Sequence, residues 1–595
     1  MDTVFSSTAG GPANQGRSVK CASLAAFQWV VLILATVVPP MIVPSLLPAP
    51  AFLNELAAMA AWAAATLLIG ISMRRRVLML TGLEPALAGL ALLLLGILSS
   101  WAFARYTLPS LIAGIGAVVA AGVMMLLGAA VRQGGGARST LAALATGWVV
   151  LGIFSVAVAA MQVFFPESVG GYWLANSSEI GRAQGNIRQP NHLATFMIWS
   201  CISVVWLGEV GFVRRGLVLA LLFGFVFTVV LSASRMGLLA VLLLCAWGLF
   251  DRKLSSGSRV SLLATGLMLA LSWWLMSVWA ASGEHVFGAA NRVESGALNS
   301  VRFTLWPHAI ELIKQHPLSG VGWHAFNLEW TFGAFTGRTN AYFSHVHNLP
   351  LQLVVELGVP IGLGITALLG WALLRAFGSA PDEPRGLAVD RRSAFMMVGM
   401  VVLHSMLEFP LWYLFFLLPS AFYLGFCLSM ASARRFVTQL AMPGRAAVLA
   451  GGSLCALGVA MYADYMRVAV IYRPDEFDLP LIERIERAQS AWVFGPRADY
   501  ALATNFPPGQ VALNAAKRAA RHYIDPQLMI VWATSLHATG DHERAAYIVK
   551  KLSEFPNPMA QKWLEPCKSP PLPGQEMPFQ CAAGTKDFTI DEMLR

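Results

Sequence analysis

Residues 344–375 read SHVHNLPLQLVVELGVPIGLGITALLGWALLR. Two histidines and an asparagine stand at the mouth of an apolar run, 349–374, that exceeds the roughly 20 residues needed to cross a hydrocarbon core. The pattern recurs along the chain. Thirteen candidate spans lie near 25–47, 52–73, 78–101, 108–131, 141–165, 191–208, 217–233, 236–250, 260–281, 349–374, 394–409, 411–431 and 446–466. Within 217–250, Ser232-Ala-Ser-Arg235 either ends one span or interrupts a long one. Only Glu408-Phe-Pro410 separates the eleventh span from the twelfth. Composition agrees: of 595 residues 56% are hydrophobic and 12% charged, with mean hydropathy +0.61. An average soluble domain is about 25% charged. One soluble core cannot absorb so much apolar surface, which excludes an ordinary cytoplasmic enzyme, a disordered chain and a collagen-like chain. The fold class expected is an all-α polytopic membrane protein.

Net charge is +10, from 42 Lys+Arg against 32 Asp+Glu. In a soluble protein this would suggest nucleic acid. Here it follows the loops, and no nucleic-acid partner is expected. With the N-terminus inside, nineteen basic residues fall on inner segments, among them Arg17, Lys20, Arg74, Arg75, Arg76, Arg434 and Arg435. Eight fall on outer positions before the tail: Arg105, Arg182, Arg188, Arg235, Arg292, Arg302, Lys314 and Arg338. The bias sets the orientation, and an odd number of spans puts the C-terminal tail outside. The first apolar segment is long and lacks a small-residue cleavage site, so it reads as an anchor. The divisions expected are an inner N-terminus at 1–23, spans one to nine at 24–281, a large outer loop at 282–348, spans ten to thirteen at 349–466, and an outer helical domain at 467–595. From 471 onward the tail holds 14 Lys+Arg and 15 Asp+Glu, the balance of a soluble unit. Segments 480–493, 508–523, 526–539 and 541–555 have amphipathic helical periodicity. Gly540-Asp-His-Glu-Arg-Ala-Ala between two of them resembles a tetratricopeptide-like hairpin, or belongs to a plain helical cap. Cys567 and Cys581 are the only cysteines of the tail, and outside the cell they either pair or stay free.

Ionisable residues at span ends are costly and point to function. In Gly185-Asn-Ile-Arg-Gln-Pro-Asn-His192, Pro190 suits a first helical turn, and Gln189 or Asn191 is placed to cap it. The element is either a cap at a membrane entry or a polar contact for a headgroup or glycan, with Arg188 adding charge and His192 a polar ring. Arg235 lies between two apolar runs with no acid nearby. It either snorkels to the interface or binds phosphate, which guanidinium matches bidentately. Arg302, in Asn299-Ser-Val-Arg-Phe-Thr-Leu-Trp306, opens an amphipathic helix running to about Gln315, and is either solvated or functional. His345 and His347 lack a third metal ligand at helical spacing, so a general base suits them better than a metal. Asn348 is a candidate cap for span ten. Glu356 is a buried acid that bonds to backbone or to another span. His404 and Glu408 stand at i,i+4 with Tyr413 following, as a structural pair beside an aromatic belt or as part of a site.

At these residues the chain resembles the O-antigen ligase/polymerase-like superfamily of bacterial inner-membrane glycosyltransferases, and more closely the protein O-oligosaccharyltransferases of the PglL type. The likeness runs over roughly 24–470 and rests on Gln189-Pro-Asn-His192, Ser234-Arg235, the Arg302 element, His347-Asn-x9-Gly358 and Glu408-Phe-Pro-Leu-Trp-Tyr413. The resemblance implies a glycan donor on undecaprenyl pyrophosphate, acceptors among periplasmic proteins such as pilins, contact with membrane lipid, and no metal or other cofactor. It places the site and tail in the periplasm. His347 matches the essential histidine, Arg235 and Arg302 the arginines on the pyrophosphate, and Gln189 and Tyr413 positions linked to transfer; Arg188, Asn191, His192, His345 and Asn348 join as substrate-binding candidates. Alternatives are a ligase to lipid A core, a polymerase, a transporter of the lipid-linked glycan and a scaffold. A transporter predicts polar residues near mid-membrane, whereas here they cluster at outer ends. A scaffold leaves Arg235 and His347 unexplained.

Overall fold

The computed structural model describes residues 12–73, 77–103, 107–283, 285–294, 301–378, 383–429, 439–441, 443–473, 479–569, 576–582 and 584–595. Arg74, Arg75, Arg76, Arg105, Arg434 and Arg435 lie outside the described residues, as do Asn299 and Ser300. So do the side chains of Arg17 and Lys20.

Each of the thirteen apolar stretches holds a helix. Among the described residues nine helices are long and apolar enough to cross a membrane: Ser23–Met41, Phe52–Ser72, Glu84–Ala102, Leu108–Gln133, Ala137–Phe164, Pro190–Glu209, Ser256–Ala281, Leu349–Phe377 and Pro443–Tyr472. Arg215–Leu231, Arg235–Phe250 and Leu414–Leu428 are apolar but shorter. Arg385–Ser405 is charged over its first turns and apolar beyond. The protein is thus a helical, multi-pass membrane protein. The ambiguity at 232–234 resolves into two helices, because Ala233 at φ 51° turns the chain between them.

Apolar side chains gain nothing by leaving lipid for one another, so the bundle relies on close backbone approach. Leu108–Gln133 and Leu414–Leu428 meet at Gly128 and Gly425. A Cβ on either would stand 1.9 Å from the carbonyl oxygen of Phe422 or Met125 across the contact. Pro190–Glu209 runs through the middle of the bundle, buried from His192 to Leu207. Trp199 and Trp206 donate their indole N–H groups to Met397 O (2.9 Å) and Asp390 Oδ1 (3.0 Å).

The helix Leu349–Phe377 is broken at Gly358, where φ is +81°. The break is not left open. Turn 317–322 docks into it, with Val321 N donating to Val355 O (2.9 Å), Gly322 N to Glu356 O (2.9 Å) and Val359 N to Pro317 O (2.8 Å). Non-helical backbone at a membrane helix is tolerable where protein satisfies it in this way. The break therefore anchors the 282–348 segment to the bundle.

The tail is a series of short helices, Leu481–Ala488, Gly495–Asn505, Gln510–Ala520, Pro526–Ala538, His542–Ser553 and Pro558–Trp563. The first ends five residues before the expected boundary. Gly495–Asn505 lies where no amphipathic segment was read, since its Gly-Pro start and near-even polarity hide the period. Cys567 and Cys581 are disulfide-bonded. Leu328 and Phe332 of the 282–348 segment enter the tail's core, Phe332 against Trp532 with ring centroids 5.8 Å apart. Arg338 is buried between them, donating to Glu554 (3.1 Å) and to the carbonyls of Trp330 and Gly333, with its guanidinium 4.6 Å from the Phe555 ring. Loop and tail form one body.

Candidate active site

Three apolar helices begin at one end of the bundle with the same local design. A non-glycine residue in the left-handed region comes immediately before a side-chain N-cap. Arg188 (φ 58°) precedes Gln189, Ala233 (φ 51°) precedes Ser234, and His347 (φ 55°) precedes Asn348. Each cap accepts a backbone N–H from its own first turn: Gln189 Oε1 from His192 (2.8 Å), Ser234 Oγ from Gly237 (3.1 Å), Asn348 Oδ1 from Leu351 (3.0 Å). Left-handed non-glycine residues are strained and gather at functional sites. Helix N-termini also carry partial positive charge and favour anions.

The ends converge on Glu408, which follows the helix Arg385–Ser405. Its Oε2 accepts from His347 Nδ1 at 2.5 Å, and its Oε1 from Asn191 Nδ2 at 3.0 Å and Arg302 Nη2 at 3.2 Å. Ser234 Oγ donates to Asn191 Oδ1 (2.7 Å), and Asn348 Nδ2 to Met406 O (3.0 Å). Arg302 Nε donates to Leu407 O (2.8 Å). Because an ionised carboxylate only accepts, the short bond puts the imidazole proton of His347 on Nδ1. Nε2 is then the basic nitrogen, and it makes no hydrogen bond among the described residues. The i,i+4 pairing of His404 with Glu408 does not form. His404 Nδ1 instead meets Thr195 Oγ1 (2.9 Å), since Arg302, His347 and Asn191 draw the carboxylate away from its own helix.

Beside this chain lies a group of arginines. Arg235 Nη2 donates to the carbonyl of Arg292 (3.2 Å), and Arg182 Nε to that of Ser232 (3.0 Å). Glu179 meets Arg182 at 2.7 Å and Arg292 at 4.0 Å. Burial, then repulsion from Arg182, pulls the Arg292 guanidinium below its ordinary pKa; Glu179 opposes this, and Arg235 and Arg302 add to it. Burial lowers Arg302 as well, with Glu408 opposing and Arg235 reinforcing. Four guanidiniums facing two carboxylates leave a site that favours an anion, and guanidinium suits phosphate geometry.

The remaining candidates divide. Arg188 turns from the cluster to donate to Val43 O (2.6 Å), Pro50 O (3.0 Å) and Asn54 Oδ1 (3.4 Å), bracing the link between the first two helices. Gln189 caps. Tyr413 lies against His192, ring centroids 4.8 Å apart, forming an aromatic floor with Phe415 and Phe416. His345 hydrogen-bonds Ser344 Oγ (2.8 Å) and stacks on Phe409 at 4.3 Å. Burial, then the neighbouring imidazoles of His324 and His347, holds its pKa well below the ordinary value. Among the described residues, of the two mouth histidines only His347 has a carboxylate partner. Sequence reasoning placed no role on Arg182 or Arg292, and of its two readings of Glu408 the structural pair with His404 does not form.

Comparison with known proteins covers these same segments. Residues 218–366 match the O-antigen ligase family, 393–563 the family described as virulence factor membrane-bound polymerase, C-terminal, and 183–207 that described as protein glycosylation ligase. Two proteins of Acinetobacter baylyi are similar. One, a ComP-specific O-oligosaccharyltransferase, is 25% identical over 44% of this chain and 46% of its own length. The other, a general O-oligosaccharyltransferase, is 24% identical over 41% and 43%. The matches span less than half the length of these relatives. The three family matches cover the segments that carry Asn191, Arg235, Arg302, His347 and Glu408, so there the chain is similar to O-antigen ligases, membrane-bound polymerases and protein glycosylation ligases.

Proposed function

We propose that the protein is an O-linked oligosaccharyltransferase that moves a glycan from undecaprenyl pyrophosphate to Ser/Thr hydroxyls of periplasmic proteins or pilins. The observation that carries this reading is the Glu408–His347 bond beside Arg302. His347 Nε2 takes the acceptor hydroxyl proton as the oxygen attacks the anomeric carbon. The bond from that carbon to the pyrophosphate oxygen breaks, and Arg235 and Arg302, with Arg292 nearby, hold the diphosphate charge that appears. General-base catalysis contributes about 10²–10⁴-fold and preorganised charge a comparable factor. A single displacement inverts the anomeric centre. Asn191 steadies Glu408, while Tyr413 and His192 wall the acceptor side. No metal takes part. In this reading all thirteen helices span the bacterial inner membrane, the site and tail face the periplasm, and the tail's hairpins are of the tetratricopeptide-like kind.

The relatives named as O-oligosaccharyltransferases support a protein acceptor. The matches to the ligase and polymerase families favour a second reading, in which the acceptor is lipid A core or a growing glycan. One assay separates them: purified full-length protein, lipid-linked oligosaccharide and either acceptor, read by intact mass. Glycan on the protein acceptor, lost in His347→Ala, is the result expected. Transfer to lipid A core alone establishes the second reading, and full transfer by His347→Ala overturns the role of the base.

A further inference from the structure

Away from this site, a cavity of about 410 Å³ opens between the tail and the start of the membrane helix Leu108–Gln133. Thr107 lines it on the membrane side, and Asp499, Asn514, Lys517, Arg518 and Arg521 on the tail side. Arg595 lines it as well, so the charges do not balance: Asp499 is the one acidic side chain in the lining, against Lys517, Arg518, Arg521 and Arg595. Asp499 is engaged by Arg518, whose Nη2 and Nε reach it at 2.7 and 3.0 Å, and by Gln489 Nε2 at 3.1 Å. Lys517 and Arg521 have no ion-pair partner among the described residues. Lys517 and Arg518 lie in the last turn of Gln510–Ala520. That helix end offsets about half a charge, which leaves most of the excess uncompensated. Asn514 Oδ1 already accepts from Gln510 Nε2 (2.9 Å), so the side chain offers its amide N–H groups as donors.

Depth in the membrane is marked independently. His522, next to Arg521, lies with Nδ1 3.5 Å from Oγ of Ser110 in the first turn of Leu108–Gln133. Thr107 stands at the N-cap position of the same helix. The cations therefore stand at the level where an apolar helix begins, which is where lipid phosphates lie. A volume of this size is that of a small-molecule pocket and takes a phosphoglycerol-sized group.

We propose that this cavity binds a phosphate-bearing anion, of the kind an anionic phospholipid headgroup presents, with Lys517 and Arg521 as its principal cations. Occupancy would tie the tail to the membrane plane, independently of the transfer chemistry.

The test is native mass spectrometry of the full-length protein, titrated with short-chain phosphatidylglycerol, with phosphatidylcholine or with inorganic phosphate. Interface cations contribute about fivefold each, so Lys517→Gln with Arg521→Gln should weaken saturable phosphatidylglycerol binding about thirtyfold. Lys562→Gln with Lys568→Gln, which removes equal charge from an exposed part of the tail, should leave it unchanged. Competition by inorganic phosphate, lost in the first double variant, assigns the site to free phosphate; no competition assigns it to the lipid headgroup. Equal binding by wild type and the first double variant overturns the proposal, as do equal losses in both double variants or phosphatidylcholine binding as tightly as phosphatidylglycerol. A thermal melt confirms that the variants are folded.

Discussion

Glu408→Gln tests the site most directly, because it keeps the side chain's size and removes one property. Both Asn191 and Arg302 donate to Oε1, while His347 donates to Oε2. In the variant the amide oxygen keeps the two donors on Oε1, so the amide NH₂ takes the Oε2 position and faces His347 Nδ1. Two donors cannot share that contact. The imidazole must shift its proton to Nε2, which leaves the base facing the acceptor with a hydrogen where it needs a lone pair. Loss of the charge-assisted bond alone is worth about 1.5–3 kcal/mol, or roughly 10- to 150-fold. In a serine-protease triad, where the same carboxylate-to-amide change imposes the wrong tautomer, kcat falls about 10⁴-fold. We expect kcat to fall about 10³-fold between these bounds. Arg302 keeps its bonds to Leu407 O and to the amide oxygen while losing its counter-charge, so the donor KM should hold or fall. Single-turnover transfer from lipid-linked oligosaccharide, read by intact mass across donor concentrations, gives both quantities. A kcat within about fivefold of wild type refutes the orienting role, as does a loss confined to KM.

Three further outcomes follow from the same contacts. Arg292→Gln removes a guanidinium yet keeps the backbone carbonyl that receives Arg235, so the donor KM should rise about tenfold with kcat little changed, the worth of one charge-assisted contact; donor titration checks this. Gly358→Ala would bring a Cβ to 2.2 Å from Leu318 O at a φ of +81°. A cost of at least about 2 kcal/mol should lower the melting midpoint of the purified protein by about 2 °C or more. Burial pulls His522 down to about 3, with His324 and Arg497 adding to the shift, and lowers His324 too. Unfolded imidazoles titrate near 6.5, so the unfolded tail binds more protons below that pH. Stability should be full above about 6.5 and fall as pH drops from there toward about 3. Protease protection of the tail at pH 7.5 and 5 checks the sign, and His522→Gln should flatten the slope.

The membrane helices were legible because their cause is local: a segment in lipid must be apolar over about 20 residues, and no distant contact alters that. The tail's helices were legible where one face is apolar, as in Gln510–Ala520, and not in Gly495–Asn505. What eluded sequence reasoning is what packing decides. Arg188, Ala233 and His347 adopt a conformation associated with glycine, and nothing in their identity announces it. Helical spacing pairs Glu408 with His404, four residues back, while the folded chain gives it His347 from 61 residues away.

At 189–192 the sequence left a choice between helix capping and ligand contact, and the folded chain divides those tasks among neighbours. Gln189 satisfies the helix, whereas Asn191, one residue past Pro190, reaches Glu408. The same division holds at the other two helix starts. Ser234 caps and Arg235 faces the arginine group; Asn348 caps and His347 meets the carboxylate. Capping fixes where each helix begins, and the left-handed residue beside each cap sets the angle at which the chain enters. Neighbouring side chains are thereby held at one end of the bundle without taking up the helix's own orphan N–H groups. In this fold capping is what positions the candidate chemistry, so replacing a cap should disturb the geometry at His347 or Arg235 before it unfolds the helix.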